Sequence, residues 1–557
     1  MSGLLAAAGL VIPHIDYTAI YPELIMIGGA ILLLGVGAMR VRQLPPRVYS
    51  VLTGAIGVAS LVCGIVLWDK VHGAGHPFAA VAKSLAIDGF STAFVILASA
   101  IIIVSSFLSN DYLEREGIIG PEYHALALLS ASGAMLMAAA NDFIVIFLGL
   151  EILSIPLYIL AALDQRRAES GEAGMKYFVL GAFSSAIFVY GIALTYGATG
   201  STNLAQVAAY LAHNVSTNDG LLLAGAGLLL VGFLFKVAAV PFHMWTPDVY
   251  QGSPTPATGF MASIAKVGGF AALLRVFFTS FHSLAASWQP IIWVVAILTL
   301  VVGAVLGLVQ RDIKRMLAYS SINQAGFILL GLQAASTEGI AASLYYVFIY
   351  AFLVLGSFAV VMLVGGRGDR EHSIESFRGL GRRQPLLALG FAILLLAQAG
   401  APFTTGFLGK LYVVEAAVSA HSYALAVIAM LTGAIAAAFY LRVVFVMYGS
   451  RQAAPSQAAP ALPAEGPGGE GLAFAGASSE IGSPAGASHS PLPAATLLAL
   501  EPAALETAAV EPAPAERIHL SPATAFGLLL TVGFTVVFGI WPAPIFSLAH
   551  AAGLLFV

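Results

Sequence analysis

This chain is a succession of apolar runs, each near the length that carries an α-helix across a bilayer, and several hold a lysine near mid-length. A spanning helix needs about 20 mostly apolar residues. About fourteen such runs follow one another, near 20–40, 48–68, 88–108, 122–140, 142–163, 175–197, 220–250, 256–278, 288–309, 314–333, 338–365, 384–419, 421–448 and 523–546. Pro241 interrupts the seventh and Pro402 the twelfth. Only 9% of the 557 residues are charged, where globular proteins carry about 25%, so there is too little polar surface to face water. The chain reads as an all-α integral membrane protein of about 14 transmembrane helices, with the seventh and twelfth discontinuous.

The loops test that count. Those after odd-numbered runs hold most of the basic residues, among them Arg40, Arg115, Arg166, Arg167, Arg311, Lys314, Arg315, Arg378, Arg382 and Arg383. Those after even-numbered runs hold only Lys70, Lys83 and Arg275. The positive-inside rule then puts the odd-side loops in the cytoplasm and both termini outside. The tenth run is among the weakest spans, being polar at Ser320, Ser321, Asn323 and Gln324, and only AAND separates the fourth from the fifth.

Other features exclude function classes. A net charge of −4 argues against a nucleic-acid partner. The single cysteine, Cys63, allows no internal disulfide, thiolate metal cage or iron–sulfur cluster. No histidine pair has metal-ligand spacing, and no phosphate-binding GxxxxGK[ST] or nucleophile–base pattern is present. The start, MSGLLAAAGLVIPHID, lacks the basic region of a cleaved signal. Roughly 449–521, rich in Ala, Pro, Gly, Ser and Glu, cannot bury a core and reads as a disordered cytoplasmic insertion, either spacer or docking segment.

The stretch around Pro241 has a counterpart. AAVPF at 238–242 recurs as AGAPF at 399–403, and each is followed by TGF, at 258–260 and 405–407. Five helices separate the breaks, an odd number, so the two units have opposite orientation. Inverted repeats of this kind place sites near the bilayer midplane on discontinuous helices.

The charges at depth are Glu151, Lys236, Lys266 and Lys410, with Arg442 nearer an end. Glu151 lies about ten residues into its run, roughly 15 Å at 1.5 Å per residue and half of a ~30 Å hydrocarbon core. Each buried charge costs about 2.5–3.5 kcal/mol on insertion scales, so the four would cost on the order of 10 kcal/mol if unpaired. Two readings stand. In one, Glu151 and Lys236 form a salt bridge that fixes helix packing. In the other, the set is a proton relay: burial favours a neutral amine, a nearby carboxylate favours the ammonium, and a lysine between these influences exchanges a proton near neutral pH. Three lysines sharing one carboxylate, two of them beside helix breaks, fit the relay better. His243, after the first break, either passes protons or packs. Lys176 either continues the row or reaches to the interface. Asp248 and Asp312 read as caps or loop anchors, Glu415 as a counter-ion for Lys410, and Tyr345, Tyr346 and Tyr350 as packing residues or the lining of a wet path.

The segments NDFIVIFLGLEILSIPLYILAAL (141–163), KYFVLGAFSSAIFVYGIALTYGATGSTNL (176–204), FKVAAVPFHMWTPDVYQGSPTPATGFMASIAK (235–266), DIKRMLAYSSINQAGFILLGL (312–332) and PFTTGFLGKLY (402–412) resemble subunit N of bacterial NADH:quinone oxidoreductase, respiratory complex I, over nearly the whole chain outside the insertion. The resemblance implies an antiporter-like, proton-translocating subunit with inverted repeats formed by helices 4–8 and 9–13. Its implied parts are 1–121, the repeat units 122–278 and 279–448, the insertion 449–521 and a last helix in 522–557. It implies that NADH, FMN, iron–sulfur clusters and quinone belong to other subunits, with no cofactor here. The implied partners are membrane-arm subunits of the M, K, J, A and H types, the lipid bilayer and, indirectly, the quinone-reducing peripheral arm, in a bacterial inner membrane. The family's relay glutamate falls on Glu151 and its lysines on Lys176, Lys236, Lys266 and Lys410. Pro241 and Pro402 fall at the hinges. A multisubunit sodium/proton antiporter component and a structural scaffold remain as alternatives.

Overall fold

Helix occupies every one of the apolar runs, and the two prolines stand where helices stop. The computed structural model describes residues 16–39, 44–73, 76–214, 220–449 and 520–553. The insertion expected at 449–521 lies outside them except at its ends, as does the start of the chain. Among the described residues ten helices are long and apolar enough to cross a membrane, from Tyr17–Met39 to Pro522–Ile540. The remaining runs are short or polar helices: Glu122–Ala139, Gly220–Lys236, Ile313–Ala334, Pro385–Ala399 and Thr405–Ser419. The chain is thus a multi-pass, all-α membrane protein, in which helices satisfy their own backbone groups where no water can.

Polar residues at the starts of runs act as caps. Asp142 accepts from Ile144 N, Asp312 from Arg315 N and Thr404 from Phe407 N. Asp88 forms a reciprocal capping box with Ser91. One element was not expected, a short antiparallel hairpin pairing Phe78–Ala80 with Leu85–Ile87.

Three helices form the centre, one of them the polar tenth span Ile313–Ala334. The other two, Thr255–Thr279 and Thr337–Val364, are buried along almost their whole length, whereas most other spans keep an outward, lipid-facing side. Glycines let helices approach closely. A Cβ on Gly133 would stand 2.3 Å from Leu153 N, and one on Gly303 2.5 Å from Asn323 N, so the fourth–fifth and ninth–tenth helix pairs touch backbone to backbone. Counting runs had put Arg275 in a loop. It is instead fully buried in the last turns of Thr255–Thr279, paired with Asp88 at 2.8 Å and donating from Nε to Ala138 O at 2.6 Å.

Candidate functional site: a buried row of lysines

The first break places Lys236. Helix Gly220–Lys236 ends on this residue, and the chain restarts as helix at Trp245. An ammonium at a helix C-terminus meets the negative end of the macrodipole. Between the two helices Ala238 adopts φ +60°, the Val240–Pro241 bond is cis, and Val240 N–H donates to Thr299 Oγ1 at 3.0 Å. Lys236 is 3% exposed and donates to Ser154 Oγ at 2.7 Å. Ser154 in turn donates to Leu150 O. The Tyr177 ring lies 5.8 Å from the ammonium and stacks on Trp245 at 4.5 Å.

Glu151 is near but turned elsewhere. It sits half-buried one turn before Ser154 and accepts from Ser185 Oγ at 2.5 Å. It makes no ion pair with Lys236 among the described residues. The direct Glu151–Lys236 salt bridge expected on one reading is therefore corrected: two serines stand in its place.

Lys266, 2% exposed in the central helix, donates to Ser321 O and lies 5.3 Å from the Tyr350 ring. Ser321 Oγ and Tyr350 OH share a hydrogen bond of 2.7 Å. On the next residue Ser320 bonds Tyr440 OH and donates to Gln398 Oε1 at 3.2 Å. Gln324 Nε2 donates to Tyr440 OH and to Gln398 O, both at 3.1 Å, and its Oε1 accepts from Tyr346 OH. Gln398 Nε2 donates to Ser357 Oγ at 2.7 Å. Ala399, next in the chain, accepts from Lys410 Nζ at 2.8 Å. Hydroxyls and amides thus fill the space between Lys266 and Lys410.

Lys410 comes from the far side of the second break. Helix Pro385–Ala399 stops, Gly400 and Phe403 take φ +90° and +63°, and helix Thr405–Ser419 begins. Lys410 reaches back to a terminal carbonyl of the first half-helix, with Phe327 beneath it at 4.9 Å. The second break resembles the first in placing an ammonium at a helix C-terminal end, from the opposite side of the proline. Among the described residues, none of the three lysines is ion-paired. Each donates instead to a neutral oxygen.

The remaining candidates fall elsewhere. Lys176 is not in the buried row: it is 42% exposed and paired with Glu172 at 2.7 Å and Asp248 at 3.0 Å. Asp248 is not a cap; it holds Lys176 and Arg315. Glu415 is exposed and does not meet Lys410. Arg442 donates to Leu308 O and Gln310 O at the end of a neighbouring helix. His243 is buried beside Pro241, and its Nδ1 has no hydrogen-bond partner among the described residues.

Lys176 and Asp248 line a cleft of about 690 Å³ together with Arg166, Asp312, Asp369 and His372. Asp369, in the loop after Thr337–Val364, is its anchor. Arg167 at 3.0 Å, Lys314 at 3.4 Å and Thr255 Oγ1 at 2.7 Å all meet this fully buried carboxylate. Burial pushes its pKa up, but Lys314, His372, Thr255 and Arg167 together outweigh that and hold it at about 2. Its stabilising contribution is present above the ordinary carboxylate pKa of about 4 and is lost as pH falls through about 2. Among the described residues no three His, Cys, Asp or Glu side chains gather to hold a metal ion.

Sequence reasoning missed Ser154, Ser185, Gln398 and Tyr440. The signal for Ser320, Ser321 and Gln324 was available, but their polarity was read as weakness in the tenth span. Buried polar groups in hydrocarbon cost too much to occur without partners, so a polar span at the heart of the molecule marks a wet or hydrogen-bonded interior.

Comparison with known proteins gives this geometry a family. Residues 140–436 match the family model described as NADH:quinone oxidoreductase/Mrp antiporter, TM. NADH-quinone oxidoreductase subunit N of Trichlorobacter lovleyi is 41% identical over 78% of this chain and 88% of that protein. A chain of respiratory complex I from Thermus thermophilus with bound aureothin superposes with a TM-score of 0.70 at 30% identity, covering 95% of this chain and 99% of that one. A chain of the Mrp complex from Dietzia sp. DQ12-45-1b shares the fold, with a TM-score of 0.77 at 19% identity and 97% of both chains covered. The chain belongs to the NADH-quinone oxidoreductase subunit N family.

Proposed function

We propose that this chain is a proton-translocating membrane-arm subunit of an NADH-quinone oxidoreductase, in which electrons pass from NADH to quinone in other subunits. It would sit in a bacterial inner membrane with both termini periplasmic, beside M-, K-, J-, A- and H-type subunits. The inverted units are 122–278 and 279–448. The observation that carries this reading is the hydroxyl and amide string between Lys266 and Lys410, inside a bundle otherwise sealed by apolar side chains. A scaffold built on salt bridges has no use for lysines that avoid carboxylates.

In this reading Glu151 is the moving charge. Held by Ser185, it leaves Lys236 on a neutral serine. A swing toward Lys236 favours the ammonium there, and a swing away favours proton release toward Lys266. The hydroxyls of Ser321 and Tyr350, and of Ser320 and Tyr440, form two hydrogen-bonded pairs, and water entering between them would carry a proton on toward Lys410. Pro241 and Pro402 are the hinges, and His243 is a further carrier at the first of them. Expelling one proton against 100 mV costs about 2.3 kcal/mol. A carboxylate approaching an ammonium to about 4 Å supplies about 4 kcal/mol at an effective dielectric constant near 20.

The test is Lys236→Ala in the assembled complex, reconstituted in proteoliposomes. Proton translocation should fall steeply while the subunit stays in the complex; wild-type protons per NADH would end the relay role. The likeness in fold to the Mrp chain favours a second reading, a sodium/proton antiporter component. Proton movement in vesicles driven by a sodium gradient alone, without NADH, would select it.

A further inference from the structure

A groove of about 590 Å³, away from the lysine row, is lined by Arg378, Ala438, Leu441, Arg442, Phe445 and Val446. Its floor is the last turns of the spanning helix Tyr423–Tyr448. Ala438 is exposed there, and Phe445 is 71% exposed. Its rim is cationic. Arg442 is pinned to the end of the neighbouring helix through Leu308 O and Gln310 O, and its buried Nε has no partner among the described residues. Arg378 gives Nε and Nη2 to Glu375 at 2.8 and 2.6 Å, which leaves Nη1 facing Gly449 without a partner among the described residues. Arg382 and Arg383 follow, both exposed. Among the described residues Glu375 is the one carboxylate bonded within this group of four arginines.

The groove joins two chemistries: the guanidinium groups of Arg378 and Arg442, and apolar side chains of the spanning helix, Ala438 and Leu441 before Arg442 and Phe445 one turn after it. Guanidinium N–H groups match phosphate oxygens, and exposed Phe and Leu on a span face acyl chains. Basic pockets between spanning helices suit anionic headgroups. We propose that the groove binds an anionic glycerophospholipid, with its phosphodiester on Arg378 and Arg442 and one acyl chain along Ala438, Leu441 and Phe445. The bound lipid would fasten the Tyr423–Tyr448 helix to the Ile374–Arg383 loop.

The test uses the assembled complex, reconstituted in nanodiscs of phosphatidylcholine doped with phosphatidylglycerol and then released for native mass spectrometry. Wild type should retain phosphatidylglycerol on this subunit. Arg378→Gln with Arg442→Gln should lower retention about thirtyfold, from about 1 kcal/mol per arginine near an anionic lipid surface. Ala438→Trp fills the apolar wall from an exposed position, leaves both arginines in place and should lower retention as well. Equal retention in both variants would overturn the proposal. So would retention of phosphatidylcholine alone, or a helix of another subunit seated in the groove of the complex.

Discussion

The two intervals of the lysine row are built differently. Between Lys266 and Lys410 the space is filled with groups that donate and accept, namely Ser321, Tyr350, Ser320, Tyr440, Gln324 and Gln398. Between Lys236 and Lys266 there is close packing. A Cβ on Gly269 of the central helix would stand 2.9 Å from Val237 Cγ1 and 3.3 Å from Lys236 Cγ, and Lys236 turns away to Ser154. The interval from Lys266 to Lys410 holds two hydrogen-bonded clusters, Ser321 with Tyr350 and Ser320 with Tyr440, Gln324 and Gln398, so short gaps remain for water to bridge; the other is packed shut and needs a movement. On the proposed reading, that difference would put the switch on the side of Glu151 and the first break, and the conducting path on the side of the second.

Four substitutions sharpen or break this contrast. Lys410→Ala removes the end of the hydrogen-bonded interval and should lower translocation about a hundredfold, as loss of a proton-transfer group commonly does; the initial rate of NADH-driven acidification reads it. Gln324→Leu leaves Tyr440 and Tyr346 short of a partner. With about 1–3 kcal/mol for each buried group left unsatisfied, translocation should fall about tenfold. An unchanged rate would mean the string is packing. Gly269→Ala overfills the closed interval at a cost of about 1–3 kcal/mol, and should slow translocation several-fold while leaving hydrogen exchange around Ser321 unchanged. Ser185→Ala is the mildest. It frees the Glu151 carboxylate from one hydrogen bond worth about 1.5–3 kcal/mol and should shift the pH profile of translocation with little loss of maximal rate. A hundredfold loss there would move the switch from Glu151 to this serine.

Much of the architecture was legible because it rests on local chemistry. Apolar length marked the helices, and the prolines at 241 and 402 marked the gaps at 237–244 and 400–404. Burial of the three lysines followed from their depth in apolar runs. The partners were not legible, because these helices are apolar on nearly all sides and so carry no stripe that fixes their rotation. Without rotation, Glu151 faces Lys236 or Ser185 equally well on paper; Glu415, by contrast, follows Lys410 by five residues on the same helix, about 140° round it, so helix geometry alone argued against that pair. Lys176 shows the same limit. Its place near a helix start allowed the buried row or a reach to the interface, and Glu172 and Asp248, one of them far away in sequence, hold it in a charged cleft outside the row.

Lys266 stands where the two intervals meet, so one measurement on it bears on both. In proteoliposomes of the assembled complex carrying Lys266→Ala, with the subunit's presence verified by mass spectrometry, the account predicts that NADH-driven proton translocation falls about a hundredfold or more. Translocation at the wild-type rate, with the subunit present, would contradict it.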